Sequence, residues 1–347
     1  MAETGRRDLR RRLEQLGHNP RCAANARAAL GDVPMLSVAR SLGLDAHEGQ
    51  SPFAITRGLA FERALFADDA ARLRQCLLDA RVLPPGAAGF VDLRPRANGG
   101  PLADLDDSRA AFLALLQRLA DTSADARSAL PTLVAGPALR LCAEGLPEGR
   151  LALDVVTVHP TPDAVVLRVG EVKVYPDRGG YTDPAELASA RAQAGLYLYA
   201  LRREIADAGL SHTLRAADDG FLVLTRPSFN LPSVRAGEDL RYQHDRAAAL
   251  LAQAASLAQT LPHRPDDDAA ALRWVAEAPR AYGAPCMAFC PLAPHCHRTA
   301  LRAQQPEALG EDMARHLGDV PLHRAAALLR GEAPETPAER AFATRLP

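Results

Sequence analysis

The chain has 347 residues, of which 48% are hydrophobic, and its formal net charge at pH 7 is −1. A chain of this size buries a sizeable core, and its near-zero charge excludes a general electrostatic attraction to polyanions, so any nucleic-acid site must be a local patch. The N-terminal segment lacks the apolar stretch of a signal peptide, and no later segment approaches about eighteen consecutive apolar residues. We therefore expect a soluble, cytoplasmic protein with no membrane partner.

Residues 1–130 are expected to be mostly helical, because apolar residues recur at helical spacing in four runs: Leu9–Leu16, Met35–Leu42, Ala60–Leu78 and Ala110–Leu119. Residues 1–30 also hold seven arginines against three acidic residues. This local excess of positive charge is one candidate nucleic-acid patch, and a solvated helix face is the alternative.

From residue 132 onward the pattern changes to short runs rich in valine and leucine, which are typical of strands: Ala138–Cys142, Leu151–Val158, Val165–Val174 and Phe221–Thr225. We expect these runs to form one sheet, with the second and third joined as a hairpin through the sequence HPTPDA. A helix is predicted over 183–206, with Asp183 as its N-cap and Pro184 at its first position.

A second helix is predicted over 239–261, followed by a loop-like stretch that holds three cysteines and by a helix-prone tail from Thr299. The predicted organisation is a helical part over residues 1–130, an α/β core over 131–238, a helix with the cysteine stretch over 239–298, and a helical tail over 299–347.

Two of the predicted strands carry the side chains that phosphodiester hydrolysis requires. Asp154 lies in the run LALDVV, and Glu171 and Lys173 lie two residues apart in GEVKV, so strand alternation points both to one face. The hairpin would bring Asp154 beside Glu171. Carboxylate oxygens suit Mg²⁺ or Mn²⁺, the carbonyl of Val172 is a further candidate ligand, and Lys173 would orient the attacking water. A pairing of these charges across a sheet edge is the alternative.

Lys173 is the only lysine among the 41 basic residues of the chain. A GC-rich coding bias explains the excess of arginine, but it does not explain where the one lysine lies. Arginine, with its fixed fork and high pKa, would fit this chemistry poorly. In the helix that follows, Gln193 and Tyr197 of the sequence QAGLY are four residues apart and therefore share one face.

The order of these motifs resembles the RecB-like branch of the PD-(D/E)XK nucleases. The resemblance implies a restriction-endonuclease-like α/β core, in which a mixed central sheet is flanked by helices, with helical additions at both ends. It also implies that Asp154, Glu171 and Lys173 are catalytic, that Gln193 helps to orient the centre, and that Tyr197 contacts the DNA backbone.

An earlier motif of the same branch places a histidine four residues after a glycine, and here Gly58 is followed by Glu62 at that spacing. The resemblance implies that Glu62 is an additional metal ligand together with Asp154, Glu171 and Val172. Glutamate in place of histidine leaves the metal preference open, and a surface helix residue is the alternative reading of Glu62.

Three cysteines lie close together in PCMAFCPLAPHC, and a fourth lies in HNPRC near the N-terminus: Cys286, Cys290, Cys296 and Cys22. This arrangement resembles the iron-sulfur nucleases of the same branch, such as the CRISPR-associated exonucleases and the AddB nuclease domain. It implies a 4Fe-4S cluster that joins the N- and C-terminal parts.

Three residues separate the first two of the late cysteines, whereas the family usually has two, so zinc bound with His295 or His297 is the rival. The two remaining cysteines, Cys76 and Cys142, are expected to be buried structural thiols.

These observations predict a metal-dependent DNA nuclease, and the resemblance suggests single-stranded DNA degraded from an end. The chain has no GxxxxGK[ST] loop, so a helicase would be a separate partner. A non-catalytic DNA-binding or scaffold subunit of a DNA-processing or defence complex is the main alternative, and a redox protein is a weaker one. The intact set of Asp154, Glu171, Lys173 and Gln193 argues against a degenerate fold.

Overall fold

The computed structural model describes residues 9–45, 52–87, 89–123, 126, 130–142, 144–146, 148–227, 231–283, 286–304 and 306–346. Two compact units are present. The sheet unit consists of Gln50–Ala143 and Pro147–Ala252, and the cysteine unit consists of Met1–Gly49, Glu144–Leu146 and Gln253–Pro347. The sheet unit is therefore almost continuous in the sequence, whereas the cysteine unit combines segments from both ends of the sequence.

The sheet unit is built on a seven-stranded mixed sheet with the strand order β1-β2-β5-β6-β8-β9, in which β7 also pairs with β6. The pairs β1–β2, β6–β7 and β6–β8 are parallel, and the others are antiparallel. A separate two-stranded sheet is formed by β3 and β4. The strands are β1 (Phe90–Asp92), β2 (Leu133–Ala135), β3 (Ala138–Leu141), β4 (Gly149–Ala152), β5 (Val155–Pro160), β6 (Val165–Pro176), β7 (Leu214–Ala216), β8 (Asp219–Thr225) and β9 (Pro232–Asp239).

The helices that flank this sheet or build the cysteine unit are α1 (Leu9–His18), α2 (Ala23–Leu30), α3 (Met35–Ser41), α4 (Pro52–Asp79), α5 (Leu105–Asp121), α6 (Pro184–Asp207), α7 (Arg241–Thr260), α8 (Asp268–Ala276), α9 (Cys286–Phe289), α10 (Ala293–Ala303), α11 (Glu311–Leu317), α12 (Leu322–Leu329) and α13 (Pro337–Ala343). Helix α4 is interrupted at Ala67–Ala70, where the backbone leaves the α region. Short 3-10 helices lie at Arg96–Asn98 and Pro306–Leu309.

The two faces of the sheet are covered by different helices. Phe61, Leu65 and Leu73 of α4 belong to one buried cluster with Val172 of β6 and Val223 of β8. Because side chains alternate along a strand, the residues on either side of Val172 face the opposite way, toward α6. A mixed central sheet flanked by helices was predicted, and this coarse fold is confirmed.

The predicted β-hairpin is confirmed, because β5 and β6 are antiparallel neighbours with Val158 opposite Leu167. The run Leu151–Val158 is not one strand, however, and the prediction of a single sheet was wrong. Leu153 and Asp154 form a bend between β4 and β5. Opposite this bend Gly136 has a positive φ of 60° and donates its N–H to the carbonyl of Asp154 over 3.0 Å. The bend directs β3 and β4 out of the main sheet.

The cysteine stretch is also more ordered than predicted. The expected loop contains α9 and the first turns of α10, and the backbone N–H groups of Cys290 and Cys296 donate hydrogen bonds of 2.9 Å to the carbonyls of Cys286 and Leu292. These are i to i−4 bonds of the helical kind. The prediction of a loop was therefore wrong, because a high density of proline and cysteine did not prevent short helices.

In the described part of residues 1–130 the predicted mostly helical character is confirmed apart from β1, whereas residues 1–8, 46–51, 88, 124–125 and 127–129 lie outside the described residues. The helices predicted over 183–206 and 239–261 correspond to α6 and α7. Within the described residues no helix has the length and apolar character needed to cross a membrane.

Candidate functional site: a carboxylate centre and a cysteine group

Strand pairing places Asp154 beside Glu171. Val155 of β5 pairs with Gly170 of β6 in antiparallel register, so Asp154, one residue before Val155, is adjacent to Glu171, one residue after Gly170. The backbone N–H of Val172 donates a hydrogen bond of 2.7 Å to Asp154 Oδ2. The predicted proximity of the two carboxylates is confirmed, although Asp154 lies in a bend and not within a strand.

Glu171 lies on β6 in the middle of the sheet and is 0% exposed. Within the described part of the chain neither of its carboxylate oxygens accepts a hydrogen bond of normal geometry, and Oε1 forms an ion pair with Lys173 Nζ. Burial and the negative charge of Asp154 raise the pKa of Glu171 well above its usual range, while Lys173 and Tyr197 lower it. A buried carboxylate in this state costs folding free energy, which is typical of a site that binds a cation.

The five predicted catalytic side chains form one connected network. Lys173 Nζ donates to Gln193 Oε1 over 2.9 Å, and Gln193 Nε2 donates to the hydroxyl of Tyr197 over 2.6 Å. The Tyr197 hydroxyl in turn lies 3.5 Å from Asp154 Oδ1, to which it donates. Together with the ion pair between Lys173 and Glu171, these contacts connect the strand residues to α6.

The ammonium of Lys173 remains charged in this setting. Burial alone would lower its pKa, but the negative charges of Glu171 and Asp154 outweigh burial, so the pKa of Lys173 is raised. Its side chain keeps 24% of its surface exposed. Lys173 is therefore a protonated hydrogen-bond donor with one side open to solvent.

Tyr197 is only 1% exposed, and its hydroxyl is part of the network. The resemblance implied a contact between this tyrosine and the DNA backbone. A side chain buried to this extent does not reach a substrate while the centre keeps this arrangement. The geometry supports a role for Tyr197 in positioning Gln193 and Asp154 instead.

Helix α6 brings Gln193 and Tyr197 to the sheet through two local features. At its start the carboxylate of Asp183 accepts hydrogen bonds from the N–H groups of the first turn, as predicted for an N-cap. Between the two network residues lies Gly195, where a Cβ atom would be 2.3 Å from Cβ of Gln243 on α7. Glycine in the sequence QAGLY therefore allows α6 and α7 to approach closely.

Glu62 lies on α4, and burial followed by the charge of Asp154 raises its pKa, while Lys173 and Arg94 lower it. Glu62 is thus close enough to Asp154 and Lys173 for their charges to affect its pKa. Sequence reasoning missed Arg94, whose Nε and Nη2 donate to the two carboxylate oxygens of Asp92 over 2.9 and 2.7 Å. Its guanidinium also lies 4.4 Å from the centroid of the Phe66 ring. The sequence signal that could have identified Arg94 is its position two residues after Asp92, the last residue of β1.

The donor set of the centre fits a hard divalent cation held by few protein ligands. In the described residues no three His, Cys, Asp or Glu side chains converge closely enough to hold a metal ion, so Glu62 does not complete a three-carboxylate site in this structure. Mg²⁺ is commonly bound through only one or two carboxylates, with water in the other positions. The buried, hydrogen-bond-deficient Glu171 beside Asp154 meets that requirement.

The four cysteines predicted as cluster ligands border one cavity in the cysteine unit: Cys22, Cys286, Cys290 and Cys296. The cavity has a volume of about 20 Å³, which is room for one water-sized group. The side chains that line it, as far as the structure describes them, include neither His295 nor His297. The described lining of this cavity thus contains four cysteines and no histidine.

The environment of Cys290 and Cys296 favours the neutral form of their thiols when no metal is bound. Burial, together with the charges of the other three cysteines, raises the pKa of Cys290 to about 12, and burial raises that of Cys296 to about 11. The amide of Asn19 and the N–H of Gly283 each donate to Cys286 Sγ over 3.4 Å. Four mutually repelling thiolates suit zinc or a 4Fe-4S cluster. The sulfurs share one cavity, but in this structure they lack the spacing of metal ligands.

The other two cysteines differ from expectation. Cys142 is exposed and Cys76 is half-buried, so the prediction of two buried thiols was wrong. Cys142 follows directly after β3, a strand of the small separate sheet and not of the main sheet.

Some of the N-terminal arginines have structural roles and are therefore not available for the predicted nucleic-acid patch. Arg12 is buried, its Nε donates to the carbonyl of Ala29 over 2.8 Å, and its guanidinium also bonds the carbonyl of Leu30, so it caps the end of α2. Arg27 lies over the Trp274 ring at 5.2 Å. Arg6 and Arg7 lie outside the described residues.

Comparisons with known proteins add little to this geometry. No protein-family model matches the chain, and no curated protein matches its sequence. A solved structure titled "Crystal structure of SSO0001" is similar over 75% of this chain and 93% of its own, with 12% sequence identity and a TM-score of 0.22. A likeness at that score carries no argument about fold or function.

Proposed function

We propose that this protein is a metal-dependent DNA nuclease with a PD-(D/E)XK centre of the RecB-like kind. The connected network of Asp154, Glu171, Lys173, Gln193 and Tyr197 carries the proposal, because the bend before β5, strand β6 and helix α6 bring together these five predicted groups. A sheet-edge ion pair, the structural alternative, would not bury Glu171 completely in the middle of a sheet.

Each residue has a definable task in this reaction. Asp154, Glu171 and the carbonyl of Val172 would hold Mg²⁺ or Mn²⁺, with Glu62 as an additional ligand if it moves closer. When bound, the cation supplies positive charge that offsets the charge on the phosphate. The Lys173 ammonium donates a hydrogen bond to the attacking water or to a phosphate oxygen, and Gln193 and Tyr197 fix its direction.

The finer features of the fold belong to the same proposal: a restriction-endonuclease-like core, and a metal site of Cys22, Cys286, Cys290 and Cys296 that connects the early and late parts of the chain. The resemblance implies a 4Fe-4S cluster here, whereas the cavity of about 20 Å³ has room for a single ion such as zinc, which is the rival. Single-stranded DNA cut from an end is the proposed substrate, with any helicase as a separate partner.

The test is the cleavage of end-labelled single- and double-stranded DNA by anaerobically purified protein with Mg²⁺ or Mn²⁺. Wild type should cut, and Lys173→Ala should not, while Arg203→Ala should cut like wild type. Arg203 is a matched control, since it is an exposed cation on α6 whose ion pair is with Asp207, outside the network. Iron, sulfide and zinc analysis of the same preparation assigns the metal of the cysteine group.

Metal-dependent cutting that is lost only in Lys173→Ala would support the nuclease, and the position of the label would give its polarity. A folded, metal-loaded wild type that cuts neither substrate would contradict it. Binding of DNA without cutting would then favour the non-catalytic subunit.

A further inference from the structure

The loop that connects β6 to α6, residues 177–183, is held rigidly at the C-terminal end of β6. Asp177 is buried, and its carboxylate accepts hydrogen bonds from the N–H of Gly180 over 2.9 Å and from the hydroxyl of Ser233 on β9. Arg235, also on β9, donates to the carbonyl of Gly180 over 2.8 Å. Gly179 and Gly180 both have positive φ angles and open space around them, so they serve the turn and not close packing.

This rigid loop presents a large aromatic side chain to solvent. Tyr181 is 59% exposed, although its backbone is fixed by the hydrogen bond from the N–H of Arg178 to its carbonyl over 2.8 Å. A fixed, exposed tyrosine offers contact area with little conformational entropy to lose on binding.

The charges around the loop differ from those at the opposite end of the same strands. Arg178 and Arg226 are exposed just beyond the C-terminal ends of β6 and β8. Arg57 of α4 is also exposed, and it donates to the carbonyl of Val174 near the end of β6 over 3.1 Å. In the described residues none of the three forms an ion pair. At the N-terminal ends, three arginines are each paired with an aspartate: Arg168 with Asp219, Arg202 with Asp218, and Arg241 with Asp239. Of these six arginines, the three at the loop end form no ion pair among the described residues, whereas the three at the opposite end each form one.

The loop also lies close to the proposed centre. The last residue of β6, Pro176, is three residues beyond Lys173, which is about 10 Å at the rise of a strand. On its other side the loop leads into α6, which carries Gln193. Lys173 and Tyr181 are thus separated in the sequence only by the last three residues of β6 and the first part of the loop.

We propose that Tyr181 is a stacking platform for an unpaired base of single-stranded DNA, with Arg57, Arg178 and Arg226 holding the adjacent phosphates. This inference rests on the proposed nuclease function and adds the residue that selects single strands. An aromatic face among uncompensated cations is the combination that binds single-stranded nucleic acid. In a duplex the bases are already stacked on one another, so the ring has no base face to contact.

The test measures binding separately from cleavage. Fluorescence anisotropy of a labelled oligothymidylate of about 20 nucleotides, and of a duplex of the same length, is recorded without added divalent cation. Tyr181→Ala should bind the single strand roughly 5- to 100-fold more weakly than wild type. Tyr181→Trp should retain binding, and duplex binding should be the same in all variants.

Tyr242→Ala is the matched control. Tyr242 is 71% exposed, and it lies just after the end of β9, at the opposite end of the sheet from the loop, because Asp239 pairs with Asp219 at the start of β8. Its loss should leave single-strand binding unchanged.

Equal single-strand binding by wild type and Tyr181→Ala would overturn the platform, even if wild type cuts DNA in the cleavage assay. Equal losses in Tyr181→Ala and Tyr242→Ala would also overturn it, since they would indicate a diffuse surface effect. A wild type that binds neither DNA and cuts neither would remove the nuclease proposal and the platform together.

Discussion

The carboxylate centre of the sheet unit and the cysteine group of the cysteine unit solve opposite electrostatic problems. In the first, groups of both signs are present, and Lys173, Gln193 and Tyr197 connect the carboxylates through hydrogen bonds and an ion pair. In the second, four groups that ionise with the same sign border one cavity, and burial and mutual repulsion keep Cys290 and Cys296 neutral.

A metal would therefore have a different effect at each of the two sites. The centre is organised by the protein alone, so a cation adds chemistry to a geometry that already exists. The cysteines are organised by packing but cannot satisfy one another as thiolates, so a metal would stabilise the fold by binding them. Changes in the centre should therefore affect reaction rate, and changes in the cysteine group should affect stability.

The largest expected effect is on the reaction. Glu171→Gln keeps the shape of the buried side chain but removes its charge, so DNA cleavage should fall by at least about 1000-fold, or about 4 kcal/mol in the barrier. Steady-state cleavage with saturating Mn²⁺ measures this. Asp163→Asn, an exposed carboxylate in the same hairpin, is the control. If Glu171→Gln also lost the metal of the cysteine group, the contrast between the two sites would fail.

The next effect is on stability. Cys290→Ala should lose the proposed metal and lower the free energy of unfolding by more than about 3 kcal/mol, because metal binding and folding are coupled. Urea unfolding followed by the fluorescence of Trp274 measures it, since this is the only tryptophan and it packs against the same buried cluster as Cys290.

Cys142→Ala, which removes an exposed thiol outside the group, is the control for that experiment. A fully stable Cys290→Ala protein with unchanged metal content would show that the cysteines share a cavity without sharing a ligand.

A smaller effect is expected from overpacking beneath the network. Gly195→Ala introduces a Cβ atom 2.3 Å from Gln243 Cβ, which should cost about 2 kcal/mol and displace α6 from the sheet. Thermal unfolding gives the first quantity, and the cleavage rate should fall as Gln193 moves. Ala208→Gly, which changes a small residue just after the end of α6, separates this displacement from a general weakening of the helix. Wild-type activity in Gly195→Ala would indicate that the network tolerates a shift of α6.

The smallest expected effect is a pH dependence confined to the sheet unit. Burial, followed by the charge of Arg168, lowers the pKa of His159 on β5 to about 4 from 6.5, so the fold holds this imidazole neutral. Its stabilising contribution is present above pH 6.5 and is lost as pH falls toward 4, because only the unfolded chain then gains the proton. His159→Gln should remove about 1 kcal/mol of this dependence, allowing for the partial exposure of the ring.

Circular dichroism during urea unfolding at several pH values measures that difference. An identical pH profile for wild type and His159→Gln would contradict the assignment.

The local part of the centre was predictable from the sequence. Two-residue alternation placed Glu171 and Lys173 on one face, and in the structure they form an ion pair. Four-residue spacing placed Gln193 next to Tyr197, and in the structure their side chains are hydrogen-bonded. Both inferences depend only on the period of a strand or a helix. The Asp183 cap was predictable for the same reason.

What the sequence did not reveal depends on distant contacts. Strands β1, β2 and β7 have three residues each, which is too short for a periodic signal, and they form because neighbouring strands supply their hydrogen bonds. Arg94 is accommodated by Gly100 and Gly136, where a Cβ atom would lie 2.0 Å from its carbonyl oxygen and 2.2 Å from its Cγ atom, respectively. No local pattern links residues so far apart.

The single lysine has a practical consequence. Because every other basic side chain except histidine is a guanidinium, an amine-directed acylating reagent finds Lys173 as its only side-chain target in the chain. The ion pair with Glu171 and the hydrogen bond to Gln193 slow its acylation, since only the neutral amine reacts. The rate at which mass spectrometry detects labelled Lys173 therefore reports the state of the centre in the absence of any substrate. Loss of a carboxylate partner would accelerate labelling, whereas a bound phosphodiester would protect the amine.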